Sequence, residues 1–304
     1  MSKIERRKFI KMAGLSGLAL AGIPRLSGSP NIFNNSIDLA VVSNSTPEIM
    51  VRKAVDMFGG MEKFIKKGST VLVKPNIGWD RAPEQAATTN PQVVAEIVRL
   101  CKNAGAKKVK IFDRTCNQAK RCYARSKIEE MAKAAGAEVS HVYDQKFKKL
   151  TIRQGKELKA WEFYEDAQQA DVVINVPIAK HHSLSRVTLG LKNMMGILGG
   201  NRGEIHNHFD IKIADINTVI VPQLTIIDAV RILMDNGPQG GNLSDVKEMN
   251  TIIAGVDPVA VDAYGATLFD LKPEQLGFLK EAQARGLGTM NLAALKIEKV
   301  NLAA

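Results

Sequence analysis

Residues 69–113 read STVLVKPNIGWDRAPEQAATTNPQVVAEIVRLCKNAGAKKVKIFD. The first eight residues form an apolar run that ends in Lys-Pro-Asn, as in strands buried inside parallel sheets. Asn90 and Pro91 carry the signal of a helix start, and the residues that follow are apolar at helical spacing until a glycine stops them. Residues 107–113 are predicted as the next strand. A strand, helix and strand in this order predict two parallel strands joined by a helical crossover.

The same alternation continues along the chain. Further strands are predicted at residues 37–43, 170–177, 224–230, 250–257 and, at an edge of the sheet, 295–302. The pattern predicts an α/β fold with a mostly parallel, doubly wound sheet and helices on both faces. A polar interval at about 144–165, turning at Gln154-Gly155, predicts an inserted β-hairpin. We predict one α/β domain over residues 37–304, with two lobes as the alternative.

Polar side chains follow the predicted strands at their carboxyl ends. They are Lys74, Asn76, Asp80, Asp113, Arg114, Lys180, His181, His182, Asp228 and Asp257. Each has a structural alternative; Asp257, for example, stands where it would cap the helix that begins at Pro258. Ligands of open parallel sheets bind outside the carboxyl ends of the strands. We therefore expect these side chains to share one cleft.

The richest group of candidate reactive side chains lies in residues 179–210, AKHHSLSRVTLGLKNMMGILGGNRGEIHNHFD. Four of the 5 histidines of the chain fall there, beside Lys192, Asn193 and a run of glycines. Histidine titrates near neutral pH and burial lowers the pKa of a lysine, so both are candidates for proton transfer. The alternative is that these histidines cap helix ends or bond to the backbone of a loop.

These candidates divide by predicted role. The predicted catalytic residues are His182, Lys192 and Asp228. The glycines indicate a backbone that can approach an anion, so cofactor binding is predicted for Lys74, Asn76, Lys180, Lys192, Asn193, Gly199 and Gly200. A metal is predicted at His206 and His208, with His182 as a further nitrogen ligand. The cofactor is expected to be a transition metal or a nucleotide-derived group. No C-x-x-C pair occurs, so we expect no iron–sulfur cluster.

Composition narrows the range of partners. The formal charge is +11, of which +7 remains when the basic residues 1–21 are set aside. The lysines and arginines are scattered, which favours a small anionic ligand. Aromatic residues make up 5% of the chain and no nucleic-acid motif is present, so we expect no nucleic-acid partner. The 3 cysteines are too few for a disulfide framework, and Cys116 and Cys122 are predicted either as free thiols or as a pair. The oligomeric state is not predicted.

The leader, residues 1–36, is predicted to direct export. ERRKFIKMAGLSGLALAG, residues 5–22, places two arginines, a phenylalanine and a lysine before a short apolar run. This resembles a twin-arginine signal. The resemblance implies transport of the folded protein to the periplasm by the twin-arginine machinery. The alternative is a basic amphipathic helix at the N-terminus of a cytoplasmic protein.

Several segments resemble a bacterial and archaeal family catalogued as domain of unknown function 362. They are residues 71–113, 172–200, 225–241 and 254–263, and within them LGLKNMMG and DPVAVD are the most specific pieces. The resemblance covers nearly the whole chain after the leader. Some members carry an appended ferredoxin-like domain with two cysteine clusters, which we do not expect in this chain.

The region around Lys192 is also distantly similar to the N-terminal domain of the nickel-pincer lactate racemases. In that family a lysine holds the pincer nucleotide covalently, one histidine ligates nickel and another moves the substrate proton. The matching positions are His182, Lys192 and His206. TLGLKN replaces the family's Ser-Gly-Gly before the lysine, and FDRT stands where a Gly-x-His follows a strand. The similarity therefore implies where a site lies, and it gives little support for nickel as its metal.

Together these features predict an exported enzyme that acts by proton transfer or isomerisation on a small anionic substrate, with the help of a metal or a nucleotide-derived cofactor. A second hypothesis is a periplasmic cofactor- or anion-binding protein without turnover. A third, a binder of nucleic acid or of the envelope surface, rests on charge alone.

Replacement of Arg6 and Arg7 by lysine is expected to stop export, because the twin-arginine signal requires the arginine pair. Cell fractionation measures the share of the protein that reaches the periplasm. Transport of the double variant at the wild-type rate would contradict the prediction.

Overall fold

The computed structural model describes residues 37–303. Its strands are β1 (Leu39–Ser43), β2 (Thr70–Pro75), β3 (Lys108–Ile111), β4 (Glu138–Val139), β5 (Phe147–Thr151), β6 (Ala160–Tyr164), β7 (Val172–Val176), β8 (Ile178–His182), β9 (Arg186–Thr188), β10 (Leu224–Leu233), β11 (Val246–Gly255) and β12 (Ile297–Asn301). Its α-helices are α1 (Pro47–Asp56), α2 (Pro91–Asn103), α3 (Ala119–Arg125), α4 (Ile128–Ala134), α5 (Glu165–Gln169), α6 (Gly190–Asn193), α7 (Phe209–Asn217), α8 (Pro258–Thr267) and α9 (Gly277–Ala284). The predicted signal and linker lie outside the described residues.

A ten-stranded sheet runs through the molecule in the order β12-β1-β11-β10-β7-β2-β3-β4, with β8 beside β10 and β9 beside β8. Six of its neighbouring pairs are parallel, and three, β1–β11, β10–β11 and β8–β9, are antiparallel. The predicted mostly parallel sheet is confirmed, as is the edge position of the last strand.

Apolar side chains on both faces of the strands explain why helices cover both. In β2, Leu72 packs into one core, while its neighbours Val71 and Val73 pack into the other. The first core also holds residues of α7, α8 and α9, and the second holds residues of α1, α2 and α4. Because successive side chains of a strand point to opposite faces, a continuous apolar run needs cover on both.

The predicted insertion is a two-stranded hairpin, β5–β6, and one aspartate anchors its turn. Asp215 of α7 accepts hydrogen bonds from the backbone N–H groups of residues 156, 157 and 158 at 2.8–2.9 Å. The guanidinium of Arg285 lies 2.6 Å from the same carboxylate, and both side chains are buried. This ion pair ties the hairpin to α7 and α9.

Two local predictions were wrong in detail. Strand β10 continues to Leu233, so Asp228 lies within the strand and not at its end. The strand extends because its second half leaves β7 and pairs with β8, with a bulge between Ala229 and Arg231. The residues after Pro177 form the β8–β9 hairpin, so Lys180, His181 and His182 lie within a strand and not beyond the end of one.

No helix within residues 37–303 is long and apolar enough to cross a membrane.

The substitution Asp215→Asn is expected to lower the free energy of unfolding by about 3–5 kcal/mol, because it removes the buried carboxylate that pairs with Arg285 and accepts from the turn of the hairpin. Chemical denaturation measures the change. The control is Glu281→Gln, since Glu281 also contacts Arg285 but is 29% exposed, and about 1 kcal/mol or less is expected there. Equal effects of the two variants would contradict the anchoring role of Asp215.

Candidate active site

A cavity of about 450 Å³ opens beyond the carboxyl ends of β2 and β3, against the β8–β9 hairpin and α6. The structure brings eight of the predicted site residues to its wall: Lys74, Asn76, Lys180, His182, Lys192, Asn193, Gly200 and His206. Asp113 and Arg114, predicted from a strand end, also line it. Six of the ten side chains expected at strand ends thus line one cavity, and the other four, Asp80, His181, Asp228 and Asp257, do not.

A buried ion pair forms part of the floor. Lys74 Nζ lies 2.9 Å from Asp113 Oδ1, and both side chains are almost fully buried. The other carboxylate oxygen of Asp113 accepts from the backbone N–H of Ile77 at 2.6 Å. Burial lowers the pKa of Lys74, while the contact with Asp113 raises it. Gly196 packs so close to this pair that a Cβ there would collide with both side chains. Packing against the ion pair therefore explains why a glycine stands at this position.

The carboxamide of Asn193 joins α6 to the sheet. Its oxygen accepts from Lys74 Nζ and Asn76 Nδ2, each at 3.1 Å. Its nitrogen donates to the backbone oxygen of Lys74 at 3.1 Å and to Asn175 Oδ1 at 2.9 Å. Asn193 is thus a structural neighbour of the cavity, with its hydrogen-bonding capacity used by β2 and β7.

The start of α6 is fixed by an aspartate of α8. Asp262 accepts from the backbone N–H groups of Gly190 at 2.6 Å and Leu191 at 2.8 Å. Burial raises the pKa of Asp262 to about 7, although these two hydrogen bonds act in the opposite direction. Asp262 belongs to DPVAVD and Gly190 to LGLKNMMG. The two most specific sequence pieces therefore meet behind Lys192.

Lys192 is buried beside His206. Its Nζ lies 3.5 Å from His206 Nε2, 3.7 Å from Met195 Sδ and 4.6 Å from the centre of the Phe209 ring. No carboxylate within residues 37–303 forms an ion pair with it. Burial lowers the pKa of Lys192 to about 7, and the positive charge of Arg202 acts in the same direction. Both protonation states are therefore populated near neutral pH.

Lys180 is also buried, but oxygen atoms hold it. Its Nζ donates to the backbone oxygen of Ala87 and to Asn76 Oδ1. Burial lowers the pKa of Lys180 to about 7 as well. The two acceptors orient the ammonium group without neutralising it, so the charge stays available to a ligand.

The two cavity histidines differ in which ring nitrogen is free. His182 Nδ1 accepts from the backbone N–H groups of Leu184 at 3.1 Å and Ser185 at 3.4 Å. Burial and nearby Lys192 lower the pKa of His182 to about 2. His206 is hydrogen-bonded to the backbone at Arg202 and Gly203, while burial and Lys192 lower its pKa. We assign the proton of neutral His182 to Nε2 and that of His206 to Nδ1, which leaves His206 Nε2 as a base.

Other predicted residues lie away from the cavity. Asp228 accepts from the backbone N–H groups of Asn90 at 2.7 Å and Val230 at 3.1 Å. His208 is 59% exposed and lies 3.3 Å from Glu157. Gly199 packs against the hairpin, and its carbonyl accepts from the indole of Trp161. Asp257 caps α8, as its structural alternative predicted.

Sequence reasoning missed Arg202, Thr188, Trp79 and Cys116, which also line the cavity. Arg202 donates to the backbone oxygens of Arg114 at 2.8 Å and Thr115 at 2.9 Å. Arg114 donates to the backbone oxygens of Leu198 and Gly200. The feature of the sequence that could have pointed to Arg202 is the Gly-rich segment in which it lies. All 3 cysteines are free thiols.

The wall is strongly cationic. Five basic side chains line it, against the one carboxylate of Asp113; they are Lys74, Arg114, Lys180, Lys192 and Arg202. Backbone oxygens hold both guanidinium groups in place without cancelling their charge. Low-dielectric walls strengthen the attraction of such a cleft for anions.

A metal held by protein ligands alone does not fit this wall. No group of three or more His, Cys, Asp or Glu side chains in the described part of the chain is arranged to hold one. The Nδ1 lone pair of His182 is engaged by the backbone, and His208 lies outside the cavity. The cations do suit phosphate groups of the kind a nucleotide-derived cofactor carries.

Comparison of the sequence with known proteins identifies a family and one curated relative. The family described as "Domain of unknown function (DUF362)" matches residues 71–267. The thylakoid-associated protein sll1697 of Synechocystis is 25% identical over 245 residues, which cover 78% of this chain and 74% of that protein.

Two solved structures show a partial likeness. The lactate racemase apoprotein of Thermoanaerobacterium thermosaccharolyticum aligns over 75% of this chain with 12% identity and a TM-score of 0.46. A Thermotoga maritima protein aligns over 73% with 10% identity and a TM-score of 0.45. This chain spans 56% and 59% of those two chains, respectively.

Anion affinity is expected to fall as the pH rises through 7, because Lys180 and Lys192 lose their protons there. Each required proton lowers the affinity by up to about tenfold per pH unit above that pKa. Calorimetric titration with sulfate, whose charge is constant in this range, measures the effect. An affinity that stays constant between about pH 6 and 9 would contradict these lowered pKa values.

Proposed function

The chain belongs to the DUF362 family, and from the cavity that the matched segment builds we propose that it is an enzyme that moves a proton on a small anionic substrate. The cationic wall supports the anionic substrate, and the lysine and histidine at 3.5 Å support the proton transfer. The proposal includes export by the twin-arginine route, which rests on the leader sequence.

The pair of Lys192 and His206 is the observation that carries the proposal. General acid–base catalysis needs one group that can take a proton and one that can give it at the working pH. Neutral His206 offers the Nε2 lone pair, and Lys192 is part ammonium and part amine near pH 7. Lys192 is buried and His206 is half-buried, and their nitrogens lie 3.5 Å apart at the cavity wall.

The chemistry follows from these protonation states. His206 Nε2 accepts a proton from the substrate, and the ammonium form of Lys192 returns one. The proton held by His206 then passes to Lys192 across the 3.5 Å between Nε2 and Nζ, so both groups regain their starting states and no proton is consumed overall. The positive charges of Arg114, Arg202 and Lys180 bind the substrate and stabilise negative charge that develops on it. This balance fits an isomerase or racemase. A nucleotide-derived cofactor would add phosphate groups for the arginines to hold.

The expected signature is exchange of a carbon-bound proton for deuterium. The wild-type protein is incubated in D₂O with a panel of 2-hydroxy, 2-amino and 2-oxo carboxylates, and ¹H NMR follows each signal. His206→Gln is expected to slow the exchange by about 10²–10⁴-fold, the usual contribution of a positioned acid or base.

The matched control is His208→Gln, because His208 is exposed and lies outside the cavity. This variant is expected to exchange at the wild-type rate. Binding of carboxylates without any exchange would contradict the enzyme and favour an anion-binding protein. Equal loss in the two variants would contradict the role of His206.

A further inference from the structure

The inner face of the β8–β9 hairpin presents three hydrogen-bonding side chains to the cavity. Lys180 and His182 are two residues apart on β8, so they point to the same face. Thr188 of β9 is the direct cross-strand partner of Lys180 and shares that face. All three are buried and line the cavity.

We propose that Lys180, His182 and Thr188 form a subsite that binds the carboxylate of the substrate. The inference rests on the proposed function, because it states which part of the anionic substrate the cavity holds and where. Its ligand class is a small organic acid with one carboxylate at this hairpin.

His182 enters the subsite as a donor. Two backbone N–H groups occupy its Nδ1 at 3.1 and 3.4 Å, so the neutral ring carries its proton on Nε2. A ring in this state gives a hydrogen bond to an oxygen and cannot accept a proton from substrate at Nε2. His182 is thus placed to bind an anionic oxygen, while His206 is the base.

Lys180 supplies the charge of the subsite. An ammonium group has three N–H donors, and two of them are directed to Ala87 O and Asn76 Oδ1. One donor remains for a ligand. A single positive charge with two neutral donors matches a carboxylate, which has one negative charge and two oxygens.

The unpaired hydroxyl of Thr188, which lines the cavity, supports a ligand at this place. Its side chain is 3% exposed, and Oγ1 has no hydrogen-bond partner among the described residues. A buried hydroxyl without a partner destabilises a fold, and valine would fill the same volume without that cost. A ligand oxygen at the cavity wall would supply the missing partner.

The subsite also sets which carbon reacts. The rings of His182 and His206 are stacked with their centres 6.1 Å apart. A carboxylate on His182 therefore places the next carbon of the ligand close to His206 Nε2 and Lys192. The reaction expected from this placement is proton transfer at the carbon next to the carboxylate.

The substitution Thr188→Val tests the subsite. It is expected to weaken glycolate binding by about tenfold, the effect of losing one hydrogen bond to a charged group, and to leave the melting temperature equal or higher. Thr88→Val is the control, because Thr88 is fully buried, its Oγ1 also has no partner in the described residues, and it does not line the cavity. This control is expected to bind glycolate as the wild type does.

Calorimetry with glycolate, neutral glycolamide and inorganic phosphate separates the outcomes. Loss of glycolate affinity in Thr188→Val alone, with little change for glycolamide, supports the subsite. Equal glycolate affinity in wild type and Thr188→Val overturns the subsite but not the proposed function. Weakened phosphate binding with unchanged glycolate binding in Thr188→Val also overturns the subsite. A wild-type protein that binds no anion overturns both.

The tautomer of His182 gives an independent readout. In ¹⁵N-labelled protein, the signal absent from His182→Gln is expected to show a proton on Nε2 and no titration between about pH 5 and 8, because burial keeps the ring neutral. A proton on Nδ1, or titration within that range, would overturn the donor role.

Discussion

The carboxamide of Asn193 is the contact on which the site depends. It joins α6 to β2 and β7 through four hydrogen bonds of 2.9–3.1 Å, and Asp262 fixes the first turn of the same short helix. A four-residue helix has little stability of its own. These side chains therefore determine where Lys192 lies. Because a partly satisfied buried polar network is costly, the arrangement is stable only as a whole.

The fixed backbone around α6 and the strand ends lets the protein bury positive charge with few anions nearby. Of the cations around the cavity, Lys74 has a carboxylate partner, whereas Lys180, Arg114 and Arg202 are held by backbone oxygens and an asparagine. Carbonyl dipoles orient these groups but leave their net charge, and burial lowers the pKa values of the two lysines. Such a site weakens the fold, and it attracts anions for the same reason.

The sequence predicted the sheet and the strand ends because both follow from local periodicity. Lys74, Asn76, Asp113 and Lys180 come directly after apolar runs, and parallel strands bring such ends together. What depends on tertiary context was missed. Asp228 lies within β10 because that strand changes partners. His208 takes a left-handed backbone conformation, with φ of 54°, and its ring points toward Glu157 and not toward His206. The unpaired hydroxyl of Thr188 is visible only in three dimensions.

The proposed anion binding and acid–base chemistry both depend on two buried lysines of this cavity that titrate near neutral pH. The most direct test is an NMR titration of protein labelled with ¹³Cε-lysine, with the two signals assigned from Lys180→Arg and Lys192→Arg. Midpoints near 7 are expected for both residues. Midpoints near the ordinary value of 10.5 would show that both lysines stay fully charged at neutral pH, and would contradict this expectation.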